Sequence, residues 1–210
     1  MILANIVTDI TDKLEEFSAN WWFLLVIFVI ALLDSILPIV PGETLVIIGG
    51  VAAGQGTQAL WLVIAAGAVG AFLGDNLAYL LGRRFSDRVN AWADQSVTRR
   101  ARLDAADRQI KIRGGMLLIT ARFIPGGRTI LTVSSGLTGQ PWRWFALWVA
   151  TATTIWASYA ALLGFFFGQT FEDNHTLAFW LAFATALTIT ALIEVVRWLR
   201  HRGAEQESAG

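Results

Sequence analysis

The chain has 210 residues, 55% of them hydrophobic and only 15% charged, and its mean hydropathy is positive. That is too apolar for a soluble domain of this length, and a formal net charge of zero argues against nucleic acid as a partner. With no Cys there are no disulfides, no thiol catalysis and no Cys-based metal site.

Residues 1–20 are expected to form an amphipathic helix on the membrane surface, because Leu3, Ile6, Ile10, Leu14 and Phe17 recur at helical spacing. This stretch is not a cleavable signal: Asp9, Asp12, Glu15 and Glu16 outweigh Lys13, and no small-residue cleavage site follows. A membrane domain is expected over 21–200. Trp21 to Leu37 is just long enough to cross a bilayer, which takes about 20 apolar residues, and it carries Asp34 near its end. Residues 38–56 are apolar but broken by Pro38 and by Pro41-Gly42-Glu43. The next clear span is 59–82, with small residues Gly67, Gly70 and Gly74 for close helix packing and Asp75-Asn76 inside it.

Residues 83–113 hold nine Lys or Arg against four Asp, with helical apolar spacing at Leu103, Ala106 and Ile110. They read as a cytoplasmic linker lying against anionic lipid. Residues 115–140 are apolar again and contain Arg122, Pro125, Gly126, Gly127 and Arg128. Two further spans are expected at about 143–168 and 176–199, followed by a disordered polar tail over 201–210. The 10 Trp and 13 Phe mostly flank or stud the apolar runs, in the manner of interface belts.

Topology follows from the basic residues. The 83–113 segment and the Arg197 to Arg202 ending belong on the cytoplasmic side, and the loop from Gln169 to Thr176, which has acids and no Lys or Arg, belongs outside. Both termini are then cytoplasmic. The count forces 38–56 to enter and leave from outside and 115–140 to enter and leave from inside. Pro41-Gly42-Glu43 and Pro125-Gly126-Gly127-Arg128 also match in spacing, since Glu43 to Gln55 and Arg128 to Gln140 are both twelve residues. The expected fold is therefore an all-α membrane protein. It has about four transmembrane helices and two oppositely oriented re-entrant helical hairpins in an inverted repeat, a plan found in secondary transporters. Broken backbone at membrane depth must face protein or a watery cavity, so the two breaks should meet, bringing Glu43 towards Arg128.

An Arg or Asp at the centre of a membrane helix costs roughly 2.5–3.5 kcal/mol. Arg122 and Arg128 either snorkel from a shallow hairpin or sit near its tip, and the five residues between them read as the tip. Arg128 follows a break, so it stands at a helix N-terminus, where free N–H groups favour an anion. Arginines beside such a terminus suit phosphate or carboxylate. Glu43 reads either as a first-turn capping acid or as a functional one, and Asp75 as a structural partner of Arg122 or Arg128, as a proton carrier, or both. Asp34 taken alone reads as an interface residue. At least one of Asp34, Glu43 and Asp75 is expected to couple transport to protons. The sequence offers no nucleophile–base constellation for a membrane phosphatase, because both histidines, His175 and His201, lie outside the apolar cores and Thr120, Ser134 and Ser135 have no base nearby.

These residues resemble the DedA family, bacterial relatives of the SNARE-associated or VTT-domain membrane proteins. The resemblance rests on Asp34-Ser35 followed by Pro38, Pro41, Gly42 and Glu43; on Gly74, Asp75, Tyr79, Gly82 and Arg83; on the run Arg122 to Arg128; and on Gly136, Gln140 and Phe145. It implies an integral protein of the bacterial inner membrane. It further implies a transporter or flippase that moves a lipid phosphate, either undecaprenyl phosphate or a phospholipid such as phosphatidylethanolamine, and depends on the proton motive force. The family's essential charges map onto Asp34, Glu43, Arg122 and Arg128, while Asp75 is added from its depth. On this reading Arg122, Arg128, Gly126, Gly127 and Pro125 bind the substrate, Glu43, Asp75 and Asp34 handle protons, and no cofactor is needed. A proton-coupled small-ion transporter and a non-transporting membrane-assembly factor are the alternatives.

Overall fold

The computed structural model describes residues 20–37, 42–123 and 126–170, together with isolated helical positions between 181 and 188. The expected surface helix over 1–20 (its last residue aside), the prolines at 38, 41 and 125, most of the 176–199 span and the 201–210 tail lie outside these residues.

Every regular element among the described residues is helical. In chain order they are α1 (Trp22–Ile36), α2 (Gly42–Gly54), α3 (Leu60–Arg84), α4 (Ser86–Asp94), α5 (Val97–Arg113), α6 (Met116–Thr120) continued by a 3₁₀ turn (Ala121–Phe123), α7 (Gly127–Leu137) and α8 (Trp142–Thr170). Helices α3 and α8, of 25 and 29 residues, are long and apolar enough to cross a membrane. They match the spans expected at 59–82 and 143–168. The first expected span falls short. Helix α1 has 15 residues, so at 1.5 Å per residue it is about 22 Å long against a hydrocarbon core of about 30 Å. It ends where Leu37 turns extended, at φ −117° and ψ 102°. The cause is local, since a following proline disfavours helical backbone at the residue before it.

Packing depends on small residues. Helix α2 lies along α8, with Gly50 and Gly54 against the carbonyls of Ala161 and Phe165, and Gly164 and Gly168 against those of Ile47 and Val51. Helix α7 lies along α3 in the same manner, with Gly136 against the Tyr79 carbonyl and Gly82 against that of Val133. Helix α1 meets α3 through Gly70 and Gly74, and Ser35 Oγ donates to the carbonyls of Ala31 at 3.1 Å and Ala71 at 3.2 Å. At such positions a side chain would meet backbone, which cannot yield. The larger core joins Phe23, Ile27, Val46, Ile47, Val63 and Trp156, and a smaller one joins Tyr79, Leu118, Phe145 and Val149.

The outer faces of these helices stay apolar. Leu25 and Val29 on α1, Leu73 and Leu77 on α3, and Leu147 and Phe166 on α8 are all exposed. A helix apolar on both its packed and its outer face is what a lipid environment permits and water does not. The basic segment is helical, as its apolar spacing predicts. Of the three residues in that spacing, Ile110 is buried, so this stripe of α5 faces the protein.

Candidate functional site

Four ionisable side chains from four elements converge. Asp34 lies in the last turn of α1 and Asp75 near the middle of α3; Arg122 is in the 3₁₀ turn, and Arg128 is the second residue of α7. Local chemistry delivers each. Gly74 lets α1 close on α3 just before Asp75, bringing the last turn of α1 alongside. Gly126, at φ 71°, turns the chain between Arg122 and Arg128 in the left-handed region that favours glycine, and then caps α7. The side chain of Gly126 is hydrogen, so the first N–H groups of α7 have no capping acceptor from it.

Arg122 and Asp75 form the deepest pair, with Arg122 Nη1 to Asp75 Oδ2 at 2.6 Å and side chains only 2% and 1% exposed. Arg128 Nη1 donates to Asp34 Oδ2 at 3.2 Å, and Arg128 Nη2 donates to the Asp34 backbone carbonyl. Arg128 Nε stands 3.8 Å from Asp75 Oδ1, too far for a hydrogen bond, and neither atom has a hydrogen-bond partner among the described residues. Arg122 Nε and Nη2 are likewise buried without a hydrogen-bond partner among the described residues, and so is the hydroxyl of Thr129 in the first turn of α7. The guanidinium of Arg122 lies over the ring of Trp156, 5.1 Å from its centroid.

Two arginines balance two aspartates, so the cluster is close to neutral as it stands. Its donors are not used up. The Nε–Nη2 edge of a guanidinium is one of its two-donor edges and matches the paired oxygens of a phosphate or carboxylate. Here that edge is buried and unmatched among the described residues, on a turn that packs against α7, whose N-terminus favours negative charge.

Of the expected site residues, Asp34, Asp75, Arg122, Arg128, Gly126 and Gly127 come together, and Pro125 lies outside the described residues. Glu43 does not meet Arg128: it forms no ion pair among the described residues, and the Arg128 fork is occupied by Asp34 instead. Glu43 sits in the first turn of α2, within electrostatic range of Asp34 and of the Tyr159 hydroxyl. Its neighbour Gly42 packs against the Asp34 carboxylate so closely that a Cβ there would come within 2.9 Å of Oδ2. Glu43 therefore flanks the cluster from its acidic side.

Sequence reasoning passed over Trp156 and Thr129. The signal for Trp156 was its position. Tryptophans belong at the ends of spans, and Trp156 stands mid-helix. It also missed a second cluster that absorbs the remaining motif residues. The Tyr79 hydroxyl donates to the Gln140 carbonyl at 2.6 Å and accepts from Arg83 at 2.9 Å, while its ring stacks on Phe145 at 4.5 Å. Gln140 Nε2 donates to Asp107 at 2.9 Å, and Asp107 pairs with Lys111 at 2.7 Å. This chain of contacts ties α5 to the ends of α3 and α7.

Residues 40–166, more than half of the chain, match the VTT domain family. The chain belongs to the VTT-domain, or DedA, family. The matched region includes Glu43, Asp75, Arg122, Arg128 and Trp156. The chain is similar along nearly its whole length to protein DedA of Escherichia coli (strain K12), at 25% identity, with 99% of this chain and 97% of the relative covered. It is 29% identical to the inner membrane protein YohD of the same organism, over 77% of this chain and 84% of the relative. It is 23% identical to undecaprenyl phosphate transporter A of Bacillus subtilis (strain 168), over 75% of this chain and 79% of the relative. No solved structure matches the chain.

Proposed function

We propose that this protein is a transporter of the bacterial inner membrane that flips a lipid phosphate, undecaprenyl phosphate or a phospholipid such as phosphatidylethanolamine, and draws on the proton motive force. The observation that carries the proposal is the Nε–Nη2 edge of buried Arg122, unmatched among the described residues, on the turn that packs against α7. The phosphate docks on that edge with Arg128 close by, while the lipid tail stays among the exposed apolar faces of α1, α3 and α8. The relative named as an undecaprenyl phosphate transporter supports this substrate class.

The order helix, break, helix, long helix occurs twice, as α1–α2–α3 and as α6–α7–α8. The two short helices after the breaks pack crosswise, α2 on α8 and α7 on α3. That exchange supports reading the two units as oppositely oriented re-entrant hairpins with their following spans, while the basic residues of 83–113 and 197–202 support cytoplasmic termini. An incoming phosphate would make the neutral cluster net negative, and Glu43 already adds a third acid at its edge. Proton uptake by Asp34, Asp75 or Glu43 would restore the balance, which is the physical motive for coupling to protons.

The test is flipping of a labelled prenyl phosphate in proteoliposomes by wild type, Arg122→Ala and Arg128→Ala. The proposal expects both variants to lose flipping. Equal rates in all three would remove the site, and flipping of a neutral prenyl alcohol at the same rate would remove the phosphate from the reading.

A further inference from the structure

We infer that Trp156 is a positioning residue of the anion site: its ring face holds the Arg122 guanidinium so that the buried Nε–Nη2 edge is left without a protein acceptor, for a phosphate to take. This rests on the proposed role of Arg122. Arg122 is held at two points, by the Asp75 carboxylate on Nη1 and by the indole face at 5.1 Å. The two restraints differ in what they leave available. A second carboxylate would occupy the donors and cancel the charge that an anion needs. An aromatic face attracts the cation through its quadrupole and carries no net charge. Trp156 thus fixes the arginine and leaves its binding edge free.

The placement of this tryptophan separates it from the interfacial ones. Trp21, Trp61 and Trp142 stand at or beside helix ends with 79%, 69% and 52% exposure, whereas Trp156 is mid-helix and 5% exposed. Its neighbours in the core cluster, Ala157, Ala160 and Ala161, are small. Ala161 meets Gly50 of α2 and Ala157 faces Gly67 of α3, while the large ring lies against the Arg122 guanidinium.

The test uses the full chain in detergent with farnesyl phosphate as probe, farnesol as the neutral control, and calorimetry as the readout. Tryptophans with one to four ring fluorines are placed at position 156 by nonsense suppression, which drains the ring quadrupole with little change of size. Binding of farnesyl phosphate should weaken at each added fluorine, by about tenfold across the series, while farnesol binding and the melting temperature stay level. Trp156→Phe should fall between wild type and Trp156→Leu. Arg122→Gln, measured alongside, separates the two claims. If Arg122→Gln abolishes binding and the fluorine series is flat, Trp156 acts only by packing and the inference is overturned alone. If Arg122→Gln binds as wild type does, the lipid-phosphate site falls and Trp156 falls with it.

Discussion

Replacing Asp75 by Asn tests the electrostatics of the cluster most directly. The substitution keeps the volume and one hydrogen-bond acceptor but removes the charge facing Arg122 at 2.6 Å. Both side chains are almost fully excluded from solvent, so the small worth of surface ion pairs does not apply. Breaking a buried pair from one side costs about 3–5 kcal/mol, because the remaining charge is left uncompensated. The amide oxygen recovers part of a hydrogen bond, which places the expected loss near about 3 kcal/mol. For a chain of this length that lowers the melting temperature by roughly 6–12 °C, at about 2–4 °C per kcal/mol. Thermal unfolding in detergent, followed by tryptophan fluorescence, reads the shift. Arg122→Gln alone should cost a similar amount, since it leaves Asp75 buried and unpaired. The double variant should recover most of the loss, because two neutral amides can satisfy each other. Single-variant losses that simply add in the double, or an Asp75→Asn protein that melts with wild type, would refute a tightly coupled buried pair.

Three further outcomes follow from the packing. Gly164→Ala should destabilise the protein by about 1–3 kcal/mol, since its Cβ would run into the Ile47 carbonyl, whereas Gly67→Ala, whose Cβ would meet the side chains of Val46 and Ala157 rather than backbone, should cost less; parallel melting curves compare them. Tyr79→Phe keeps the stack on Phe145 but removes the hydroxyl that joins Arg83 to the Gln140 carbonyl, a loss of about 1–3 kcal/mol readable by denaturant titration. Gln140→Leu cuts the contact with Asp107, so amides of α5 should exchange with deuterium faster while those of α8 keep wild-type rates.

The long elements were legible because their cause is local. Helices α3 and α8 are continuous apolar runs with no proline, and their observed ends fall within two residues of the expected ones. The end of α1 at Leu37 and the turn at Gly126 were legible for the same reason, since Pro and Gly punctuate the backbone wherever they fall. The length of α1 was misjudged because a count of apolar residues ran to Leu37, while Pro38 and the turn at Trp21 leave 15 helical residues. The charged residues could be named from their cost in an apolar segment, but their pairing could not. Arg128 meets Asp34 across 94 residues of chain, and spacing alone favoured Glu43, which occupies the matching place in the other half. What decided between them was the close approach of α1 to α3 at Gly70 and Gly74, which depends on two helices rather than one. Trp156 was hidden because an aromatic residue in an apolar run reads as core or belt until a cation is seen beneath it.

The pairing has a consequence for how the protein comes to have a site at all. Both aspartates belong to the segment before the basic linker, with Glu43 beside them, and both arginines belong to the segment after it. Before the segments meet, the first holds unpaired negative charge and the second unpaired positive charge, and burying either alone is costly. The short helices that follow the breaks each pack on the long helix of the other segment, so the docking that buries Gly50 against Ala161 and Gly136 against Tyr79 also brings Arg122 to Asp75 and Arg128 to Asp34. Assembly of the fold and neutralisation of the cluster are then one event. An anion that drew Arg128 from Asp34 would loosen the contact between α1 and α7, because those two hydrogen bonds join them.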